Sequence, residues 1–234
     1  MMTVNDLAHL TGTSTITVRR DLNELAEQGS VRRVRGGAAP ALSRGDDFPF
    51  DLRRSEANNH KLALAQAAAK HVRPGDSVII DNGTTALAVA RQLAGLGITA
   101  MALSLRAAEE LHRKPGNQVL VPGGPLSFDE LSFVGAGTAE AVASMRFDVA
   151  IIGACAANID TGLTVSQWDD AYVKRAVLKS AQRSILVATA DKFNRTAAHK
   201  FGDVTDLDTI ITTGDLSVTT IYEASQSGVE VITV

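Results

Sequence analysis

The sequence predicts a two-part α/β protein, a small basic helical head followed by a larger body built on a mostly parallel sheet. Three observations carry this. The first forty residues hold two short apolar-periodic segments around a glycine, then an arginine-rich stretch. From Glu56 onward, short β-branched runs alternate with Ala- and Leu-rich segments, the order expected when helices cover both faces of a parallel sheet. Charge divides along the same line. Residues 1–44 hold six arginines, no lysine and four acids, whereas the rest holds 17 basic against 22 acidic residues. A basic head on an acidic body suits a head that meets nucleic acid and a body that does not.

The head can be read residue by residue. Val4, Leu7 and Leu10 mark a first helix, with Asn5 and Asp6 near its start. Gly12 breaks it, and Ser14 can cap a second helix because its hydroxyl accepts a free backbone N–H. Val18, Leu22 and Leu25 recur at helical spacing and give one apolar face. The opposite face holds Ile16, Thr17, Arg19, Arg20 and Asn23, and Gly29 ends the helix as a left-handed residue would. Two short helices around a glycine-containing turn describe a helix-turn-helix. Val31 and Val34 then alternate with Arg32, Arg33 and Arg35 before Gly36 and Gly37, which reads as a short basic β-wing. Its arginines would reach phosphates or a minor groove. The candidate DNA contacts are Ser14, Thr15, Ile16, Thr17, Arg19, Arg20, Arg33 and Arg35. A basic amphipathic helix followed by a solvated charge run is the competing reading, and the pattern alone leaves both open.

Ala39 to Ser55, with Pro40, Gly45, Asp46, Asp47 and Pro49, has no clear period and reads as a linker; Phe48, Phe50 and Leu52 are expected to dock on a neighbour. Domains are therefore expected over 1–38, 39–55 and 56–234. In the body, Glu56 to His71 reads as a helix and Ser77 to Asp81 as a buried strand. Helices are then expected over Thr84–Leu96, Arg106–Arg113, Gly137–Ser144, Asp169–Ser180 and Val218–Ser227. Strands are expected over Ile98–Leu103, Gln118–Val121, Phe147–Gly153, Ser184–Ala188, Thr209–Thr212 and Val229–Val234.

In open α/β sheets a ligand sits beyond the carboxyl ends of the strands. The sharpest such stretch is Asp81-Asn82-Gly83-Thr84-Thr85, after a buried strand and at the start of a helix. Gly83 permits a tight turn, the threonines add hydroxyls, and the helix N-terminus offers free N–H groups, an anion cradle. A plain strand-to-helix turn with a threonine cap fits the same spacing. Gly123 and Gly124 close another strand, Asp160 follows a third, and Lys174 and Lys192 lie beyond strand ends. Each lysine alone reads as a solvated charge; beside an anion cradle they become candidate ligands.

Composition excludes several classes. The one cysteine, Cys155, allows no disulfide framework and no cysteine-based zinc site, and it falls in an apolar stretch expected to be a core strand. The five histidines show no metal spacing, so no metal and no cofactor is expected. No signal peptide or membrane-length apolar run is visible, so a cytoplasmic setting with no membrane partner is expected.

Ser14, the run Thr17-Val18-Arg19-Arg20-Asp21-Leu22, Leu25, Gly29 and the Arg33–Ala38 segment resemble the DeoR family of bacterial transcriptional regulators. The likeness continues through Lys61, Leu64 and Ala65, through Pro74 to Thr85, and through Gly123-Gly124. It resumes over Asp148 to Ala154, Gly162 to Thr164, Val173 to Arg175 and Lys192-Phe193. The resemblance implies a winged helix-turn-helix head and a mostly parallel α/β sensor similar in fold to ribose-5-phosphate isomerase. It implies that the Asp81–Thr85 loop holds a phosphate and that Lys174 lines the site. Its partners would be operator DNA, a phosphorylated sugar effector and further copies of the chain. No catalytic residue is implied. Departures fall at Ser104-Leu105, where the family often has Thr-Asn, and at Asp170, where it often has Glu. Others are Thr189-Ala190-Asp191-Lys192 in place of Asp-Ser-Ser-Lys, and Thr212-Thr213 in place of Thr-Asp. They fall on the sugar-reading side and leave the phosphate loop intact.

The family has a further helix before the one holding Leu7, and this chain starts too late to contain it, through truncation or a misassigned start. Leu7 and Leu10 would then cover only part of Val18, Leu22 and Leu25. Residues 1–38 are expected to be loosely ordered or steadied by a partner chain. Two other functions compete with an effector-controlled repressor. An isomerase-like enzyme would need a general base from Asp81, Asp160 or Asp170, and a sensor without DNA binding would leave the head idle.

Overall fold

A computed structural model describes residues 2–27, 31–34, 36–40, 50–55 and 58–234. The head comprises β1 (Met2–Thr3), α1 (Val4–Thr11), α2 (Thr15–Glu27), β2 (Val31–Val34) and β3 (Gly37–Pro40). Thr3 and Asp6 form a reciprocal capping box at the start of α1, and Gly12, at φ 66°, closes it. The Ser14 hydroxyl accepts from the Thr17 N–H at 3.1 Å, the cap expected of it. The wing is an antiparallel hairpin, β2 on β3, with β1 on the far side of β3. Gly37 is required by that third strand, since a Cβ there would lie 2.1 Å from the Met2 carbonyl oxygen. The Gly29 cap lies outside the described residues.

The expected cover of α2 needs correction. Leu10 is 77% exposed and covers nothing. Val18 and Leu22 are nonetheless buried, because Val4 and the wing residue Ala38 close over them with Leu7, Ala8, Leu25 and Val31 at the edge. The wing therefore does packing work that the sequence reading gave to helices alone.

The linker also holds more structure than expected. Residues 50–55 form α3 (Phe50–Ser55), and Phe50 is buried beneath the Arg106 guanidinium, 3.9 Å from its ring centroid. Phe48 and the Leu52 side chain lie outside the described residues. Next come α4 (Asn58–Ala69), β4 (Ser77–Ile80), α5 (Thr84–Leu93), β5 (Thr99–Ala102), α6 (Leu105–His112), β6 (Gln118–Leu120), α7 (Ala136–Ala143) and β7 (Phe147–Ile152). The chain continues through β8 (Ala156–Asn158), β9 (Gly162–Val165), α8 (Trp168–Ser180), β10 (Ala181–Val187), β11 (His199–Gly202), β12 (Thr209–Thr212), α9 (Val218–Gln226) and β13 (Glu230–Thr233).

Seven strands form one parallel sheet in the order β13-β12-β10-β7-β4-β5-β6. The central strands are buried on both faces, as an all-parallel sheet demands, while the edge strands β6 and β13 stay partly exposed. From β4 the chain runs outward to β5 and β6, then returns to place β7 on the other side of β4. The strand order thus reverses between β4 and β7, which is where a ligand crevice opens in such sheets. Asp148 fastens the opposite end of that junction, accepting from the Ser77 N–H and hydroxyl at 2.7 Å each. The Ser77 backbone and hydroxyl bonds hold the Asp148 pKa below its ordinary value.

The small antiparallel sheet β11-β9-β8 was not foreseen. Its signal was the Asn158–Gly162 turn, where Asn158 Oδ1 accepts from the Asp160 and Thr161 N–H groups and Gly162 takes φ 82°. Cys155 lies between β7 and β8 and not in a strand, buried with its Sγ 3.8 Å from the Ser166 hydroxyl.

Candidate functional site

A cavity of about 870 Å³ opens at the carboxyl ends of β4, β7, β10 and β12, within the size range of small-molecule sites. Asn82, Gly83, Thr84 and Thr85 form one wall. Gly83 takes φ 92°, a conformation that disfavours side chains, and hands the chain directly into α5. The N-cap position of α5 is Gly83, and no side-chain cap is made there, so among the described residues its N-terminal dipole faces the cavity uncapped. The alternative of a threonine-capped turn is therefore not what the chain adopts.

Behind this loop lies a buried charge cluster. Asp81 is 1% exposed and Lys174 is 2% exposed, and the two form an ion pair. The Lys174 ammonium also donates to the Gly153 carbonyl at 3.1 Å and stands 3.9 Å from Asp170 Oδ2. Burial alone would lower the Lys174 pKa; the Asp170 and Asp81 carboxylates outweigh it and hold the value above the ordinary one. Asp81 Oδ2 accepts a second bond from the Gly153 N–H at 2.7 Å, and Asp170 Oδ1 accepts from Asn82 Nδ2 at 2.9 Å. Among the described residues Asp81 Oδ1 has no hydrogen-bond partner.

Across the cavity, Lys192 sits on the short 3-10 helix Ala190–Asn194, half-buried. Among the described residues no side chain pairs with its ammonium. Its neighbour Arg195 is tied to Asp191 at 2.6 Å. Of the sequence-derived candidates, Asn82, Gly83, Thr84, Thr85, Lys174 and Lys192 thus meet around one space, with Asp81 directly beneath them.

Gly123, Gly124 and Asp160 do not line the cavity. The glycine pair seats α7 instead: Thr138 donates to the Gly123 carbonyl at 2.8 Å, and a Cβ on Gly124 would stand 2.6 Å from the Thr138 hydroxyl. Asp160 is exposed at the tip of the β8–β9 turn. Other residues were missed. Arg53 on α3, Lys61 on α4 and the segment from Ser127 to Glu130 form the outer wall. Arg53 pairs with Glu130, and the Lys61 ammonium donates to the Arg53 carbonyl. Lys61 had a readable signal, since it shares a helical stripe with the buried Leu64, Ala65 and Ala68. A lysine in such a stripe needs an internal partner. The 127–130 segment has no period and gave no signal.

In the head, Ser14, Thr15, Ile16, Thr17, Arg19 and Arg20 form one exposed surface, with Ile16 79% exposed and Arg20 held loosely to Glu24 at 3.4 Å. Arg33 is exposed on β2, and Arg35 lies outside the described residues. Among the described residues no group of histidine, cysteine and carboxylate side chains has a metal-holding arrangement, and no helix is long and apolar enough to cross a membrane.

Residues 1–43 match the model of the DeoR-like helix-turn-helix domain, and residues 56–214 match that of the DeoR C-terminal sensor domain. The chain is 31% identical over 230 residues to the HTH-type transcriptional regulator GlpR of Haloferax volcanii, covering 98% of this chain and 90% of that one. It is 34% identical over 202 residues to the glycerol-3-phosphate regulon repressor of Haemophilus influenzae, covering 86% and 78%. It is 33% identical over 212 residues to the HTH-type transcriptional repressor CsqR of Escherichia coli, covering 90% and 81%. Among solved structures, ribose 5-phosphate isomerase A of Methanocaldococcus jannaschii superposes with a TM-score of 0.41 at 17% identity over 58% of this chain and 54% of that one, too loosely to bear on function. An exposed two-arginine helix with its wing, a sheet open at its switch point, and two family models that together span most of the sequence lead to one conclusion: the chain belongs to the DeoR family of helix-turn-helix transcriptional regulators.

Proposed function

We propose that this regulator represses sugar-metabolism genes from the cytoplasm, and that a phosphorylated sugar in the cavity sets its affinity for operator DNA. The head would run to residue 40, two residues beyond the expected boundary at 38 because β3 pairs with β2 as far as Pro40, with the linker from 41 to 55 and the sensor over 56–234. One observation carries the effector class: the N-terminus of α5, which has no side-chain cap, and the Lys192 ammonium, which no described side chain pairs, face the same cavity. A helix N-terminus with a cation opposite favours a compact anion, and the rest of the space suits a polyol. The name of the Haemophilus influenzae relative, tied to glycerol 3-phosphate, points the same way.

Ser14, Thr15, Ile16, Thr17, Arg19, Arg20, Arg33 and Arg35 are the proposed DNA contacts, the arginines to phosphates and Ile16 to a thymine methyl. A head this small reads a short half-site, so two or more copies would act together on repeated half-sites. Coupling requires the effector to bind the DNA-competent and released states with different affinity. The isomerase reading is less well supported. Asp81 is locked to Lys174 and Asp170 is bonded to Asn82, while Asp160 lies off the cavity, so no candidate base stands free over it.

The test is a thermal-shift screen of sugar phosphates against the same sugars without phosphate, followed by operator titration with each hit. Phosphorylated members alone should raise the melting temperature and change DNA affinity. Thr84→Val should abolish that response and leave DNA binding without effector intact. Equal shifts from unphosphorylated sugars would sink the effector assignment, and turnover of a pentose phosphate would favour the enzyme.

A further inference from the structure

We infer that Lys174 is the positioning residue of the anion loop and does not itself touch the anion; the inference rests on the phosphate-site reading above. An ammonium has three N–H groups. That of Lys174 is engaged by the Asp81 carboxylate and by the Gly153 carbonyl at 3.1 Å, and Asp170 Oδ2 stands 3.9 Å from the same nitrogen. Two hydrogen bonds account for two of those N–H groups, and Asp170 stands near the third beyond hydrogen-bond length; with the side chain 2% exposed, little of the ammonium is open to an anion arriving from the cavity. Lys192 is the opposite case, half-buried at the wall with an unclaimed ammonium among the described residues.

What Lys174 holds is the frame of the loop. Asp81 immediately precedes Asn82, and its Oδ2 ties the end of β4 to the Gly153 N–H at the end of β7. Asp170, one turn before Lys174 on α8, holds Asn82 by its amide at 2.9 Å. One ammonium thereby fixes the residue before the loop directly and the first loop residue through Asp170. It also neutralises charge where charge would matter. Asp81 and Asp170 lie behind the N-terminus of α5, and without a cation between them two carboxylates would oppose any anion bound in front. Removing Lys174 alone leaves Asp81 buried without its counter-ion, the costly way to break such a pair. Removing the Asp81 charge as well should undo most of that damage, which could not happen if Lys174 were itself the anion's ligand.

The experiment uses the full chain as Lys174→Met, Lys174→Met with Asp81→Asn, Lys192→Met, and Lys192→Met with Asp81→Asn. Amide exchange is read first without ligand, over peptides covering residues 82–86. Lys174→Met should speed exchange there about tenfold or more while β12 stays protected. Lys192→Met should leave the loop unchanged. Inorganic phosphate is then titrated by thermal shift. Lys174→Met should lose the shift and its double variant should regain most of it; Lys192→Met should lose it in both backgrounds. Unchanged loop exchange in Lys174→Met overturns the inference, as does a Lys174→Met double variant as blind to phosphate as the single one. Should Lys174→Met fail to fold, Asp170→Ala, which removes the acceptor of the Asn82 amide, takes its place in the exchange measurement, and a loop as protected as in the native chain overturns the inference equally. A native chain that ignores phosphate refutes the phosphate reading alone, because exchange in the ligand-free protein still judges the role of Lys174.

Discussion

The head and the body bury their apolar side chains on very different scales. Among the described residues the head core consists of Val4, Val18, Leu22 and Ala38, with a few half-buried neighbours. The body has two separate cores, one on each face of the parallel sheet, anchored by full-size side chains such as Ile79, Phe147, Leu163 and Ile185. Small cores have little stability in reserve. The contrast shows how a reader of DNA and a sensor of metabolites can share a chain: the part that must keep its shape around a ligand carries most of the packing.

The largest test removes one side chain from each core. Leu22→Ala and Ile151→Ala each cost on the order of 2–5 kcal/mol by the same cavity mechanism. In the head that loss should exceed the margin, so α2 exchanges freely and operator binding disappears while the body melts as before. In the body it should only lower the melting temperature. A Leu22→Ala chain that still binds DNA would break the comparison. A smaller effect is expected at Gly37, where any side chain meets the Met2 carbonyl. Gly37→Val should displace β1 from β3 at about 1–3 kcal/mol, loosening the head and sparing phosphate binding. Amide exchange at Thr3 and Val4 would register it.

DNA contact gives an intermediate test of the exposed face. Arg20→Ala should weaken binding to all sequences alike and flatten its salt dependence by about one unit of slope, with the head still folded. An unchanged slope would remove Arg20 from the phosphate contacts. The smallest effect belongs to the body. Asp148 has a lowered pKa because Ser77 donates to it twice, so its contribution is complete above the ordinary value of 3.8 and fades as pH falls through the depressed one. Asp148→Asn should flatten that part of the acid-melting curve by no more than about 1 kcal/mol, since the carboxylate is near solvent. A native curve already flat there would show that the β4–β7 junction is held without it.

The same contrast governs what the sequence disclosed. The parallel sheet was legible because strands such as Ser77–Ile80 and Thr209–Thr212 are short runs rich in β-branched residues. The turn at Asp81–Thr85 was legible as a turn, because a glycine between a buried strand and a helix permits the sharp change of direction; the same spacing left its use open. The small antiparallel sheet was not, because Ala156–Asn158 and His199–Gly202 are short and lack a run of β-branched residues. Nor was the role of Lys174. Its spacing from Asp170 is local, but its link to Asp81 crosses 93 residues and exists only in three dimensions. The position of Leu10 misled for the opposite reason: it keeps helical register with Leu7, yet among the described residues it stays 77% exposed.

The pairing of β4 with β7 also governs the order in which the protein is made. The described elements of the head close within their own first forty residues, Met2 pairing with Ala38. The cavity needs the end of β4, the end of β7 and finally the residues around Asp215. Chains emerge from the ribosome at about 5–20 residues per second, so the interval between the two events is roughly ten to thirty-five seconds. On the proposed assignment, a nascent chain in that interval has the surface that would meet the operator and not yet the cavity that would take the effector. Distant strand pairing of this kind is also intrinsically slow to form. Response to a metabolite would then be the last property the polypeptide acquires and, under any shortage of folding time, the first it would lack.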